Sequence, residues 1–522
     1  MPEITKTALG QARAERWFWI SFFALAAFVF FFGLNIPLVG PDEPRYAEVA
    51  REMFRRGDWV TPTLGGFAWF EKPALLYWLE VISYRVFGVT EFAARFGSAI
   101  CGLGTVASLW IAARYSEGGS GLPQTFGNWT AMIAASTIGI LAFSHGASFD
   151  IVVTFPIAAS LASFYVFDAS TDETSRRQKL IALASFYFFV GVGLLAKGLI
   201  GLVFPFAIVA FYFLLKRRAP SRAILASLLW GIPLLVLVAA TWYVPMYLRH
   251  GWQFIDEFII QQHFQRFATN KYQHPQPFYF FFWVLPLMTI PWLPFFAVAI
   301  WKAIATMFKS FRTASDSAAT DISAVAQTKA LLHSSSPLLL FSLSWILVPL
   351  VFFSFSGSKL PGYILPAVPG AVLLTSVYVL EFAQKSAMRR NLINTVAVGT
   401  LVICVIAIIF VVPGFARKES VKSLIAAADA HGFSTEPVVS FLTVSHNAEF
   451  YAAGRLVRDQ DGKQRRFVGP HELLEYISEH NNTPLVVLVP KNHVTALTLN
   501  ETLDTQILDD NGDLNIAVVK MK

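Results

Sequence analysis

The chain has 522 residues, of which 55% are hydrophobic and 14% charged, against roughly 45–50% and about 25% in an average soluble domain. A mean hydropathy of +0.53, with 49 Phe and 14 Trp, is more apolar surface than one soluble core can bury. Lipid must cover the rest, and an ordinary cytosolic enzyme is excluded. The formal charge of +7 in such a chain reports loop orientation before it reports nucleic-acid binding. The two cysteines, Cys101 and Cys404, lie far apart in apolar runs, so neither a disulfide framework nor a cysteine metal site is available.

A helix needs about 17–25 apolar residues to cross the hydrocarbon. Eleven segments qualify: 17–39, 92–114, 127–144, 150–167, 180–196, 198–215, 223–247, 278–301, 337–355, 361–382 and 393–413. The first follows Lys6, Arg13 and Arg16, but it is long and has no small-residue cleavage site, so it reads as a retained anchor. Basic residues gather in alternate loops, Arg176, Arg177 and Lys179 in one and Lys216 to Arg218 in the next, which puts the N-terminus in the cytoplasm. The first outside loop, about 40–91, opposes this rule with Arg45, Arg51, Arg55, Arg56, Lys72 and Arg85. A charged loop that breaks the topology rule needs another reason to exist.

Within that loop Arg45, Glu48, Arg51, Glu52 and Arg55 fall at helical spacing, and so do Leu75, Leu76, Leu79 and Ile82. They predict two helices lying along the interface, a pattern that salt-bridged surface helices would also satisfy. Residues 308–335, rich in Ser, Ala and Thr, read as a cytoplasmic linker. Residues 1–413 thus form a membrane domain. From 414 to 522 the composition turns mixed, with strand-like runs at Val438–Leu442, Leu485–Val489 and Ile516–Val519 and a helix over His471–Glu479. This tail is expected to be a small α/β domain on the outer face.

The remaining outside connections are short, and each carries an ionisable or polar group: Ser144 to Asp150, Lys197-Gly198, residues 248–277, and Ser356 to Tyr363. Such groups at membrane level are costly and mark function by default. Arg45, Lys72, Arg266 and Lys359 suit a phosphate anion. Asp42 and Asp150 could act as base or orient a nucleophile, and Glu71 with His263 is a carboxylate/imidazole pair of the kind that binds metals. His145, His250 and His274 are assigned structural hydrogen bonds, and Glu91, Arg95 and Lys197 the satisfaction of buried partners near span ends.

The runs Asp42-Glu43-Pro44-Arg45-Tyr46-Ala47-Glu48, Gly57 to Pro62, Phe70-Glu71-Lys72-Pro73-Ala74-Leu75-Leu76-Tyr77-Trp78 and Phe87 to Arg95 resemble the polyprenyl-phosphate-dependent GT-C glycosyltransferases related to bacterial protein O-mannosyltransferases. Leu195-Ala196-Lys197-Gly198, His263 to Phe267, and Ser358-Lys359-Leu360-Pro361 followed by Tyr363 to Pro366 extend the match over most of 17–370. Within that group the chain is most similar to the 4-amino-4-deoxy-L-arabinose lipid A transferases, called ArnT. The resemblance implies an α-helical polytopic membrane protein of GT-C fold with up to thirteen spans, an active site on the periplasmic side of the bacterial inner membrane, and a soluble C-terminal domain there. It makes Asp42 the principal catalytic acid, with Asp150 and the adjacent Glu43 as further catalytic carboxylates. It gives Arg45, Lys72 and Tyr363 to the lipid phosphate, Arg266 and Lys359 to secondary phosphate or acceptor contacts, and Glu71 and His263 to a divalent metal, Zn or Mg/Mn.

A polyprenyl tail is too apolar to leave the bilayer, so an enzyme using such a donor must admit it laterally and hold the phosphate at membrane level. The sugar already carries a phosphate leaving group, and the chain has no Walker-type glycine-rich motif, so no nucleotide cofactor is expected. The expected reaction is direct, inverting transfer from undecaprenyl phosphate to a lipid A phosphate, with basic groups stabilising the departing phosphate. A protein O-mannosyltransferase, or another polyprenyl-phosphate-sugar transferase, is the alternative within the fold. A transporter or flippase is the alternative outside it, although charges gather here at one face and no repeated half is visible.

Overall fold

The computed structural model describes residues 2–116, 125–171, 174–265, 275–317 and 337–522, with the side chains of 2–12, 263 and 306–317 outside that description. The membrane part begins with α1 (Pro2–Phe31), followed by the first-loop helices α2 (Asp42–Arg56) and α3 (Leu75–Phe87), with the small hairpin β1 (Thr63–Leu64) and β2 (Phe67–Ala68) between them. Then come α4 (Glu91–Ser116), the pair α5 (Phe126–Ala135) and α6 (Ile138–Ser144), α7 (Phe149–Asp168), α8 (Arg176–Lys197), α9 (Leu199–Lys216) and α10 (Arg222–Phe254), which runs into a π-helical turn, Ile255–Gln265. The rest are α11 (Phe280–Met288), α12 (Leu293–Ser317), α13 (Pro337–Ser354), a 3-10 turn at Pro361–Ala367 leading into α14 (Val368–Gln384), and α15 (Ala387–Phe410).

Among the described residues nine helices are long and apolar enough to cross a membrane, or ten if the α5–α6 pair, bent by 57°, is one span. The count falls below eleven because the segment 278–301 is divided between α11 and α12 around Thr289–Trp292. The two interface helices stand where the charge and leucine spacings put them. α7 and the Pro361–Gln384 segment are the most buried spans, and α10 and α15 the least. Leu229 on α10 and Phe410 on α15 present 83% and 76% of their surface outward, which only lipid can cover favourably. Of the linker read at 308–335, residues 318–336 lie outside the described residues.

The C-terminal part comprises α16 (Val412–Glu419), α17 (Lys422–Ala430), β3 (Val438–Phe441), α18 (Ala448–Tyr451), β4 (Arg466–Phe467), α19 (Pro470–Glu479), β5 (Leu485–Pro490), α20 (Thr495–Thr498), β6 (Leu503–Asp510) and β7 (Leu514–Met521). The sheet order is β4-β3-β5-β7-β6; β3 is parallel to both β4 and β5, and β7 is antiparallel to both β5 and β6. Side chains alternate across it as the pleat requires. Val438, Val486, Leu488, Ile516 and Val518 pack with Leu424 and Ile425 of α17 on one face. Val439, Phe441, Val487, Val489 and Val519 pack with Leu473 and Ile477 of α19 on the other. The strands and helix read from the sequence are all present; β4 and β6 are additional, one only two residues long and the other with an irregular pattern of mostly exposed side chains.

This domain grips the first loop. Tyr451 Oη accepts from the Leu38 amide at 2.8 Å and donates to Glu91 Oε1 at 3.2 Å, and Lys422 Nζ pairs with the same carboxylate at 2.6 Å. The Arg51 guanidinium lies 4.7 Å from the Phe450 ring centre, and the Arg458 side chain packs so close to Gly65 (φ 63°) that a Cβ there would overlap it.

Candidate active site

Helix ends deliver the charged groups of the site. α2 opens with Asp42 and Glu43, acids in the first turn, where the helix dipole favours them. α7 opens with Asp150 behind Ser148, whose hydroxyl caps the helix by accepting from the Asp150 amide at 3.1 Å. α8 ends with Lys197, a cation at the favourable terminus, and Gly198 (φ 65°) turns the chain into α9. The two termini meet, so that Lys197 and Asp150 form an ion pair. The Lys197 ammonium also stands 5.0 Å from the centre of the Tyr363 ring, which the 3-10 turn supplies. Gly362 lies against the Asp150 carboxylate so tightly that any β-carbon would collide with it.

These groups line one cavity of about 670 Å³. It is lined by the charged groups Asp42, Glu71, Lys72, Asp150 and Lys197, by Tyr46 and Tyr363, and by the apolar Leu199, Ile200, Val203, Phe204, Phe352 and Phe353, of which Val203 is 43% exposed. The cavity thus combines charged and apolar walls. Tyr46 sits edge-on to Phe149 at 4.8 Å, and burial with nearby Asp42 holds its phenol neutral, well above its ordinary pKa.

Asp42, Asp150, Glu71, Lys72 and Tyr363 therefore meet, as expected. Glu43 reaches the same cavity, but both its oxygens are engaged: they accept from the Ala147 amide at 2.7 Å, the Val39 amide at 3.0 Å, and Arg95 at 2.7 and 3.0 Å. It is a pivot fastening the first loop to α4 and the 145–148 turn, and a carboxylate held in this way has no oxygen left for proton transfer. Arg45 is not on the cavity wall; it bonds Asp42 at 2.5 Å and the Pro41 carbonyl at 2.8 Å from the side. Lys359 also departs from expectation: it is buried off the cavity, where its ammonium donates to the carbonyls of Ser356 (2.6 Å) and Gln276 (3.1 Å), and burial lowers its pKa.

Arg266 and His274 lie outside the described residues, as does the side chain of His263. Among the described residues no three His, Cys, Asp or Glu come together as metal ligands, and Glu71 alone of the expected pair is seen on the cavity. Dialysis against excess chelator tests the Glu71–His263 pair: transfer lost and then restored by Zn²⁺ or Mn²⁺ supports a bound ion, and full retention removes it.

His145 bonds the Leu141 and Val29 carbonyls at 2.8 and 2.9 Å and His250 bonds Thr61 Oγ1 at 2.8 Å, both structural, as read. Arg95 and Glu91 satisfy buried partners, again as read. Lys197 does more than that. Its signal was its place at the end of a span beside a glycine, on the face where the other charges gather.

A bundle of apolar helices around a cavity with charged and apolar walls, with a small α/β domain held against the first loop, is the architecture of a membrane-embedded glycosyltransferase of the GT-C class. The dolichyl-phosphate-mannose-protein mannosyltransferase family matches residues 17–256. An undecaprenyl phosphate-α-4-amino-4-deoxy-L-arabinose arabinosyl transferase of Yersinia enterocolitica is 31% identical over 441 residues, covering 82% of this chain and 72% of its own length. One from Aeromonas salmonicida is 31% identical, covering 73% and 63%. In fold, the chain is similar to the crystal structure of ArnT from Cupriavidus metallidurans bound to undecaprenyl phosphate, with a TM-score of 0.74 at 20% identity over 96% of this chain and 97% of that one. An archaeal oligosaccharyltransferase, AglB from Archaeoglobus fulgidus, aligns with a TM-score of 0.53 at 12% identity over 91% of this chain and 69% of that one. The chain belongs to the undecaprenyl phosphate-α-4-amino-4-deoxy-L-arabinose arabinosyl transferase family.

Proposed function

We propose that this glycosyltransferase moves 4-amino-4-deoxy-L-arabinose, or a closely related sugar, from undecaprenyl phosphate to a lipid A phosphate at the periplasmic face of a bacterial inner membrane. The supporting observation is the mixed lining of the cavity, in which apolar side chains of the membrane helices that suit a polyprenyl tail stand with Lys72 and Lys197, which suit its phosphate. The alternating basic loops support a cytoplasmic N-terminus, and the contacts of the C-terminal domain with the first loop support an outer location for that domain and the cavity alike.

The tail enters beside Val203 and the phosphate meets Lys72, Lys197 and Tyr363. As the bond from the anomeric carbon to the phosphate oxygen breaks, negative charge grows on the leaving phosphate, and the two ammonium groups stabilise it. An acceptor phosphate is already ionised near neutral pH, so no base is needed to generate the nucleophile. Asp42 then orients the amino sugar and stabilises the positive charge developing at its anomeric carbon. For a hydroxyl acceptor Asp42 would instead take the proton.

The test is transfer from a labelled polyprenyl-phosphate sugar to lipid and protein extracts by purified wild type, Asp42→Asn and Lys72→Ala. Label reaching lipid A with wild type but not with the variants is the expected result. Label in protein would overturn the acceptor in favour of an O-mannosyltransferase-like activity.

A further inference from the structure

Resting on that transfer reading, we propose that residues 445–451 of the C-terminal domain form the acceptor side of the site, with His446 contacting the acceptor phosphate. β3 is the middle of three parallel strands, flanked by β4 and β5, and the carboxyl end of such a strand is where open α/β sheets present ligand-binding loops. The chain leaving β3 passes through Leu442 (φ 63°) and returns as α18 against the first loop.

Residues 447–451 grip the stretch that carries Asp42 and Arg45 on both sides. Before Asp42, Asn447 Nδ2 donates to the Gly40 carbonyl at 3.4 Å and Tyr451 Oη receives the Leu38 amide at 2.8 Å. After Arg45, the Phe450 ring receives Arg51 at 4.7 Å. The other polar atom of the Asn447 amide, Oδ1, is buried without a hydrogen-bond partner among the described residues, an acceptor left over at this junction.

His446, next to Asn447 in the chain, is exposed and near enough to Arg45, Glu449 and Asp42 for their charges to act on its ring, whose pKa is lowered by partial desolvation and by Arg45. Asp42 lines the donor cavity and His446 does not. In this proposal a second substrate approaching Asp42 from outside the cavity meets His446 and Arg45, an imidazole and a guanidinium suited to phosphate oxygens. The first loop holds the donor end of the reaction, and the C-terminal domain the acceptor end.

The experiment uses the purified full-length protein, wild type and the variants His446→Ala and His446→Gln, with bisphosphorylated lipid A and the polyprenyl-phosphate sugar titrated separately. His446→Ala is expected to raise the acceptor KM about 10-fold while the donor KM and melting temperature stay unchanged, and His446→Gln to recover part of the loss. An unaltered acceptor KM in both variants, or a rise in donor KM instead, overturns the inference and leaves the transfer reading standing. No transfer to lipid A by wild type overturns both.

Discussion

Asp42 and Asp150 share a chamber but are held differently. Asp150 is neutralised by Lys197, whereas Asp42 is paired sideways with Arg45 and half exposed to the cavity mouth. Asn in place of Asp42 keeps the shape and hydrogen-bonding reach but removes the charge, so Asp42→Asn is expected to lower kcat about 100-fold or more with little change in undecaprenyl phosphate binding. Steady-state rates beside a direct lipid-binding measurement check this. The neighbouring Glu43 would fail differently: Glu43→Gln weakens the Arg95 anchor and should show itself in stability before chemistry.

At the scale of elements, the 3-10 turn and α7 approach so closely that a β-carbon at Gly362 would overlap the Asp150 carboxylate, which would have to move. Gly362→Ala should displace the Asp150 carboxylate and reduce transfer by about 10-fold, while the spans and their melting behaviour persist. α2 carries its own titration. Glu48 is buried against Arg51, and burial pushes its carboxyl up to about 8 despite the guanidinium. Because the folded form binds that proton more tightly than the unfolded chain, the group's contribution is favourable at low pH and is lost as pH rises from 4.5 through about 8. The melting temperature in detergent should fall across that window, and Glu48→Gln should flatten the fall.

Those two elements also show what the sequence could and could not tell. α2 was legible because its charges repeat at helical spacing, and α3 because its leucines do. The ion pair of Asp150 with Lys197 was not, since their 47-residue separation leaves no local pattern; only the shared membrane level hinted at it. Lys359 misled for a related reason: a lysine in an outside loop looks solvent-directed, and nothing in the order of residues reveals that its ammonium is spent on two backbone carbonyls. The split of 278–301 escaped notice because apolar composition is blind to a break in the helix.

Across the whole molecule, the C-terminal domain is tied to the first loop at several separate places, so its folding and the geometry of Asp42 are linked. Gly65→Ala tests the link away from the chemistry. A β-carbon at this positive φ, pressed against Arg458, is expected to lower stability by about 1–3 kcal/mol, read by denaturation in detergent, and to reduce activity through the loop. If activity held while stability fell, the domain would be a passenger on the bundle.

The pairing of Lys197 with Asp150 has one more consequence. Because Lys197 already holds a carboxylate counter-ion, a donor phosphate binding there as proposed would compete with Asp150 for the ammonium rather than fill a bare positive hole, and its capture would be an exchange of counter-ions.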